Sequence, residues 1–319
     1  MADQPTTLLL PEVPHSGDPS ELAREINRQV TDVNLQLAES YNDALARIAS
    51  ADIVITRALT PELLDHADSL DWIQALNAGV DSYDLNRIEE MGIVLTNAAG
   101  VHANPIAEQV LGYMLVFERN LHRGIEQQRQ NIWQHYSGGE LRGKTLGVLG
   151  VGAIGGRIAE LGSALGMTVL GTKRDTTTAP DAVDGVFPPD ETHHVLAESD
   201  YIAIACPLTD QTEGLLGLQE FTSMKRDAVV INIGRGPIIN QDDLITAIQK
   251  GKIRGAALDV TDPEPLPQDS LLWDLSDVIV TPHMAGSTPH YWERSAEIFA
   301  TNYERYLADE MDAFVNRVI

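Results

Sequence analysis

The chain has 319 residues, 43% of them apolar, which is enough for two domains and a sizeable core. Its formal charge is 22 − 47 = −25. That excludes a nucleic-acid binder working by broad phosphate neutralisation and argues against an anionic membrane surface as partner.

In chain order, TTLLL at 6–10 is the first expected strand. PSELAREINRQV (19–30) reads as a helix with Ser20 as its N-cap. VNLQLA (33–38) and ADIVITRAL (51–59) read as strands, the latter followed by the helix start TPELL. DWIQALNAG (71–79) and GIVLTNA (92–98) add two more. Strands interleaved with helices imply a parallel, doubly wound sheet. Residues 104–133 then read as one long helical segment, with Pro105 in its first turn. Its apolar first half and polar second half suit a connector between domains or a surface against a partner subunit. From residue 143 the alternation restarts, with strands expected at 145–150, 167–172, 201–205, 228–233, 255–259 and 277–281. Residues 176–191, rich in Pro and Asp, read as loop, and 287–310 as an amphipathic helix.

No N-terminal apolar run resembles a signal peptide, and nothing reaches the ~20 apolar residues of a membrane span. The expectation is a soluble cytoplasmic protein with no membrane partner. Cys206 is the one cysteine, so there is neither a disulfide framework nor a Cys-based zinc site, and no other cluster suggests a metal.

The strongest local signal is Gly150-Val151-Gly152-Ala153-Ile154-Gly155, between the apolar strand TLGVL and the helix IGGRIAELGSALG. In that setting Gly150 permits the tight turn, Gly152 lets a pyrophosphate approach backbone, and Gly155 allows close helix–strand packing. The helix N-terminus faces the phosphates. Eighteen positions after Gly155, where an acid for the adenosine ribose is expected, stand Lys173 and Arg174. A carboxylate there would bond the ribose 2′-OH; a Lys–Arg pair favours a 2′-phosphate, and Thr172 could add a hydroxyl. Asp175 could still serve the ribose a residue or two late. With five Lys beside seventeen Arg, Lys is scarce enough for its placement to matter. The reading favours NADP(H), with NAD(H) possible. Abundant carboxylates with few Lys also resemble the surfaces of proteins from salt-rich cytoplasm, where dissolved ions screen the repulsion; an ordinary acidic cytosolic enzyme is the alternative.

Three further stretches look like a catalytic set: AVVINIGRGPIIN (228–240) with Arg235 between glycines, ALDVTDPEPLP (257–267) with Asp259 and Glu264, and VIVTPHMAGST (278–288) with His283. Each lies at the carboxyl end of an expected strand, where α/β sheets bind ligands.

These stretches, together with NAGVD (77–81), TNAAGVHANPIAEQVL (96–111) and ACPLTDQTEGLL (205–216), resemble the D-isomer-specific 2-hydroxyacid dehydrogenase family in order and spacing. The resemblance covers most of the chain. It implies a small 2-oxo or 2-hydroxy acid substrate. Arg235 would grip the substrate carboxylate and help polarise its carbonyl. His283 would give a proton to the carbonyl oxygen as hydride arrives and take it back in oxidation, with Glu264 holding the imidazole. Backbone N–H groups of Ala78 and Gly79 would also hold the carboxylate. Asp259 would bond the nicotinamide carboxamide; Ala205, Cys206 and Pro207 would border the adenosine, with Thr212 nearby. Val151, Ala153, Ile154, Ile233, Gly234 and Gly286 complete the implied cofactor surround, and His283 faces the nicotinamide.

The implied fold is two doubly wound parallel-sheet domains. A Rossmann-type cofactor domain, 100–286, is inserted in a flavodoxin-like substrate domain, 1–99 plus 287–319. The active site would be the cleft and the crossings a hinge. A homodimer through 104–133 is implied, and Trp133 could enter a partner's site or simply pack. Glu264 argues against a formate dehydrogenase, whose histidine is accompanied by an amide. Phosphoglycerate dehydrogenases often carry a C-terminal regulatory domain not seen in these 319 residues. The alternative from another class is a nucleotide-sensing, corepressor-like protein on the same fold. Residues near Tyr83, Met284 and Trp292 would shape the pocket without ranking the 2-oxo acids.

Overall fold

The computed structural model describes residues 4–10, 18–80 and 82–319; Asp81, the last residue of the NAGVD stretch, lies outside them. The chain divides into two compact units, Met1–Val101 with Thr288–Ile319, and His102–Ser287. Among the described residues, no helix is long and apolar enough to cross a membrane.

The first unit holds strands β1 (Thr6–Leu9), β2 (Asn34–Leu37), β3 (Ile53–Thr56), β4 (Trp72–Ala75) and β5 (Val94–Thr96). They form one parallel sheet in the order β2-β1-β3-β4-β5, the flavodoxin-like doubly wound order. β3 and β4 are buried along their whole length, as expected for a parallel sheet covered on both faces. One face packs on the helices of residues 41–65; the other receives the C-terminal helix Tyr291–Leu307. There Trp72 stacks on Phe299 at 5.3 Å and its indole N–H donates to Thr96 Oγ1 at 2.8 Å. This aromatic packing is why residues so distant in sequence belong to one unit.

The second unit holds β6 (Thr145–Leu149), β7 (Thr168–Thr172), β8 (Gly185–Phe187), β9 (Tyr201–Ile204), β10 (Val229–Asn232), β11 (Gly255–Leu258) and β12 (Val278–Val280). The parallel order is β12-β11-β10-β9-β6-β7-β8. Read from β8, this is the dinucleotide-binding 3-2-1-4-5-6 order with a seventh strand. Alternate residues go to opposite cores: Val148, Tyr201, Ala203 and Ile231 to one, Leu149, Ile202, Ile204 and Val230 to the other. The α/β, doubly wound expectation therefore holds for both sheets.

Four local expectations are corrected. The N-cap of the first helix, Pro19–Gln29, is Asp18 rather than Ser20; Asp18 Oδ1 accepts from Ser20 N at 2.9 Å. Pro19 occupies the first helical position, which moves the cap one residue earlier than Ser20 would allow. The long segment 104–133 is two helices, Ala103–Glu118 and Leu121–Arg129, broken at Asn120 with φ +52°. Arg254 Nη2 donates to Asn120 Oδ1 at 2.8 Å, and Asn120 Nδ2 donates to Ser137 O at 2.7 Å, so tertiary partners hold the break. The 176–191 loop contains the edge strand β8 and short 3₁₀ turns. The last helix spans Tyr291–Leu307 rather than 287–310.

Candidate active site

The strand order of the second unit reverses between β6 and β9, and the glycine turn sits at that point. Gly150 has φ +96°, and a Cβ there would fall 2.7 Å from the Cys206 backbone. A Cβ on Gly155 would lie 2.1 Å from Gly150 O, whereas one on Gly152 would meet nothing within 4 Å. The first and third glycines thus close the turn onto its neighbours. The second leaves open space at the N-terminus of the helix Ala153–Ala164, a fit for a phosphate group. A cleft of about 730 Å³ opens beside it. Its lining includes Gly150, Val151, Gly152, Thr172, Lys173, Arg174, Asp175, Ala205, Cys206, Pro207 and Thr212. Of the other expected cofactor residues, Ala153, Ile154 and Gly155 lie in the following helix, and Ile233, Gly234, Asp259, His283 and Gly286 beyond the ends of β10, β11 and β12; none lines this cleft.

The Thr172 hydroxyl does not face the cleft freely: its Oγ1 accepts from Gly150 N at 3.1 Å and so braces the turn. Thr212 Oγ1 likewise staples its own loop, donating to Pro207 O at 2.7 Å. Lys173 N donates to Phe187 O at 3.0 Å, so the unforeseen strand β8 sets the backbone from which the cations project. Lys173 Nζ donates to Thr178 O at 2.6 Å, and Arg174 is exposed. Asp175 Oδ1 accepts from Thr177 Oγ1 at 2.6 Å and from Thr177 N at 3.0 Å. The Thr177 hydroxyl, then the Thr177 N–H, hold its carboxyl below the ordinary range. Asp175 is the cap of the 3₁₀ turn Thr176–Thr178, and one of its oxygens is committed to that turn. Burial pushes the Cys206 thiol pKa up, which disfavours the thiolate.

At the ends of β10, β11 and β12 the other residues gather. Asn232, 1% exposed, clamps the Arg235 loop: its Oδ1 accepts from Gly234 N and its Nδ2 donates to Arg235 O, both at 3.0 Å. A Cβ on Gly236 would lie 2.0 Å from Thr261 O, so only glycine lets this loop approach the 261–264 segment. The Arg235 side chain is exposed, with Nη1 donating to Gly234 O at 2.8 Å. Glu264 Oε1 accepts from Thr261 N at 3.0 Å, and Oε2 lies 2.9 Å from His283 Nδ1. A carboxylate only accepts, so Nδ1 carries the proton and Nε2 is left to act on a ligand. His283 itself has φ +50°. Its loop is held by Asp259, 3% exposed, whose Oδ1 accepts from Met284 N (3.0 Å) and Thr281 Oγ1 (2.5 Å) and whose Oδ2 accepts from Ala285 N (2.8 Å). Gly286 O lies 2.8 Å from His102 Nδ1. Asn232 and Thr261 lie in the quoted stretches with no role of their own there; in the fold they bond to the Arg235 loop and to Glu264.

In the first unit, Asn97 Nδ2 donates to Ala78 O at 2.7 Å and fixes the turn after β4. Among the described residues the Ala78 and Gly79 N–H groups have no hydrogen-bond acceptor. Tyr83 is buried, its hydroxyl donating to Thr56 O at 2.9 Å. In the second unit, Trp133 is 95% exposed, with Leu121, Ile125 and Ile132 also exposed. Among the described residues, no group of three or more His, Cys, Asp or Glu could hold a metal ion.

Residues 111–285, more than half of the chain, match the D-isomer specific 2-hydroxyacid dehydrogenase, NAD binding domain. The chain is 33% identical over 274 residues to a glyoxylate reductase of Aeropyrum pernix, covering 82% of each. It is 31% identical over 296 residues to the D-3-phosphoglycerate dehydrogenase of Methanocaldococcus jannaschii, covering 91% of this chain but spanning only 56% of that relative's length. A solved D-isomer specific 2-hydroxyacid dehydrogenase family protein from Aeromonas salmonicida superposes with a TM-score of 0.81 at 32% identity, covering 99% of both chains. The chain belongs to the D-isomer specific 2-hydroxyacid dehydrogenase family. That family is one of oxidoreductases acting on the CH–OH group of 2-hydroxy acids with NAD(P).

Proposed function

We propose that this protein is an NADP(H)-preferring D-2-hydroxyacid dehydrogenase that reversibly reduces small 2-oxo acids in a cytoplasm rich in salt. The observation that carries the reading is the imidazole of His283 held through Nδ1 by Glu264, with Nε2 left for substrate, in a chain of this family. A bound nicotinamide supplies or accepts the hydride. His283 Nε2 gives a proton to the carbonyl oxygen during reduction and takes it from the alcohol during oxidation, while Glu264 steadies the charged ring. Arg235 binds the substrate carboxylate through its planar fork. The Ala78 and Gly79 N–H groups are further donors to that carboxylate, and the first unit is the substrate domain.

The cofactor preference rests on the turn after β7. Lys173 and Arg174 line the cleft, and Asp175, the residue that could have served a ribose hydroxyl, has an oxygen committed to its own turn. The exposed Leu121, Ile125, Ile132 and Trp133 support a homodimer formed through 104–133. The test is kcat/KM for NADPH and NADH with glyoxylate in concentrated KCl. A strong NADPH preference supports the reading. Equal use or an NADH preference returns the ribose to Asp175. No turnover across a panel of 2-oxo acids would put a nucleotide-sensing protein in its place.

A further inference from the structure

Behind the His283 loop runs a chain of side-chain hydrogen bonds that joins Gln109, Tyr113, Thr281 and Asp259. Gln109 Nε2 lies 2.9 Å from the Tyr113 hydroxyl, that hydroxyl 2.5 Å from Thr281 Oγ1, and Thr281 Oγ1 2.5 Å from Asp259 Oδ1. Tyr113 is 4% exposed and Asp259 3%. Donor and acceptor chemistry fixes the direction of every proton. The Asp259 carboxylate can only accept, so Thr281 donates to it. The Thr281 oxygen is then an acceptor, so Tyr113 donates. The Tyr113 oxygen in turn accepts from the Gln109 amide.

Asp259 is where this chain meets the histidine. Its carboxylate takes the N–H groups of Met284 and Ala285, and its carbonyl takes His283 N at 2.8 Å. These three bonds surround a residue in the left-handed region, a conformation that costs a non-glycine residue ~1 kcal/mol and persists only where neighbours impose it. A carboxylate free to rotate would hold the loop less firmly. Thr281 supplies the side-chain donor that locks its plane, and Tyr113, on the helix Ala103–Glu118, locks Thr281.

We infer that Tyr113 and Thr281 are positioning residues for the acid–base histidine, acting through Asp259 on the 281–285 loop. The inference rests on the reading of His283 as the acid–base group. Among the described residues neither side chain hydrogen-bonds to the Glu264 or His283 side chain; they set where the imidazole stands, and so the tautomer that Glu264 selects.

The experiment is ¹⁵N NMR of the His283 ring at pH 9 on the full chain. It is paired with kcat for glyoxylate reduction and KM for NADPH. The variants are Thr281→Val, Thr281→Ser and Tyr113→Phe. Wild type is expected mainly as the Nδ1–H tautomer. Thr281→Val should move the ring toward Nε2–H and lower kcat about 10-fold with KM for NADPH within 2-fold. Tyr113→Phe, which removes one oxygen without changing shape, should do the same to a lesser degree, about 3-fold in kcat. Thr281→Ser keeps the donor and should restore the wild-type ratio. Wild-type tautomer ratios in both Thr281→Val and Tyr113→Phe would overturn the inference, as would a Thr281→Ser ratio matching that of Thr281→Val. The ring measurement needs no turnover. A wild type inactive on every 2-oxo acid therefore counts against the proposed reaction, while the tautomer ratios still decide the role of Tyr113 and Thr281.

Discussion

The glycine turn and the histidine loop sit at the carboxyl ends of strands in the same sheet, yet they are held in different ways. The turn is shaped by exclusion: Gly150 and Gly155 are there because a Cβ would strike backbone. Its charged residues are peripheral, with Arg174 exposed and Lys173 tied by one bond to Thr178 O. The histidine loop is shaped by attachment. Asp259, Thr281 and Glu264 hold it through short bonds, and its central residue has a backbone conformation it would not choose alone. Sterics can make a surface that accepts a bulky ligand with little loss when one side chain changes. A proton-transfer group has to be oriented, and orientation is lost with a single bond.

The most severe way to break the comparison is at the histidine. His283→Ala should lower kcat ~10³-fold, within the range general acid–base catalysis supplies, and leave cofactor affinity nearly unchanged. Stopped-flow turnover and a fluorescence titration with NADPH check both halves. Retained turnover would remove His283 from the chemistry. Arg235→Ala comes next: KM for the 2-oxo acid should rise and kcat/KM fall ~10²-fold, because a charge-assisted, two-pronged contact is lost. Arg235→Lys should recover only part of this, since an ammonium cannot reproduce the fork. Full recovery by Lys would mean that charge alone matters at that position.

The same contrast explains what could be read from the sequence. Steric demands leave a mark: glycines at 150, 152 and 155 between an apolar strand and a helix have few other uses. The parallel, doubly wound character of both sheets followed from the alternation of strand and helix, whereas their strand orders come from the structure. Demands met by tertiary partners leave none. The helical pattern runs on past Asn120, and what breaks it is Arg254 reaching in from more than a hundred residues away. β8 is three residues in a Pro- and Asp-rich segment, an edge strand that exists because β7 is there to pair with. The roles of Asn232, Thr261 and Thr281 are equally silent, since a hydrogen bond to a distant loop has no sequence period. Thr172, by contrast, lines the cleft beside the glycine turn, and its hydroxyl accepts from Gly150 N.

At the other end of the unit, effects should be smaller and selective. Arg174→Ala and Lys173→Ala should each reduce kcat/KM for NADPH ~10-fold, the worth of one charge-assisted hydrogen bond, and leave NADH within 2-fold. Steady-state kinetics with both cofactors reads this directly. Equal losses for the two cofactors would show that the cations support the cleft rather than meet a 2′-phosphate.

Salt sharpens the contrast with the least effect per charge. A net charge of −25 opposes compaction through repulsion among carboxylates, and dissolved ions screen that repulsion. The melting temperature should therefore rise between low and molar KCl, by ~5 °C if screening recovers one or two kcal/mol. The cationic turn should respond in the opposite sense, because the same ions weaken Lys173 and Arg174 toward a phosphate. KM for NADPH should climb with KCl while KM for NADH stays flat. The histidine loop, tied by short-range hydrogen bonds rather than long-range charge, should show no salt dependence of kcat. A melting temperature indifferent to KCl would remove the saline-cytoplasm reading. A parallel rise of both KM values would place the salt effect on the fold as a whole rather than on the two cations.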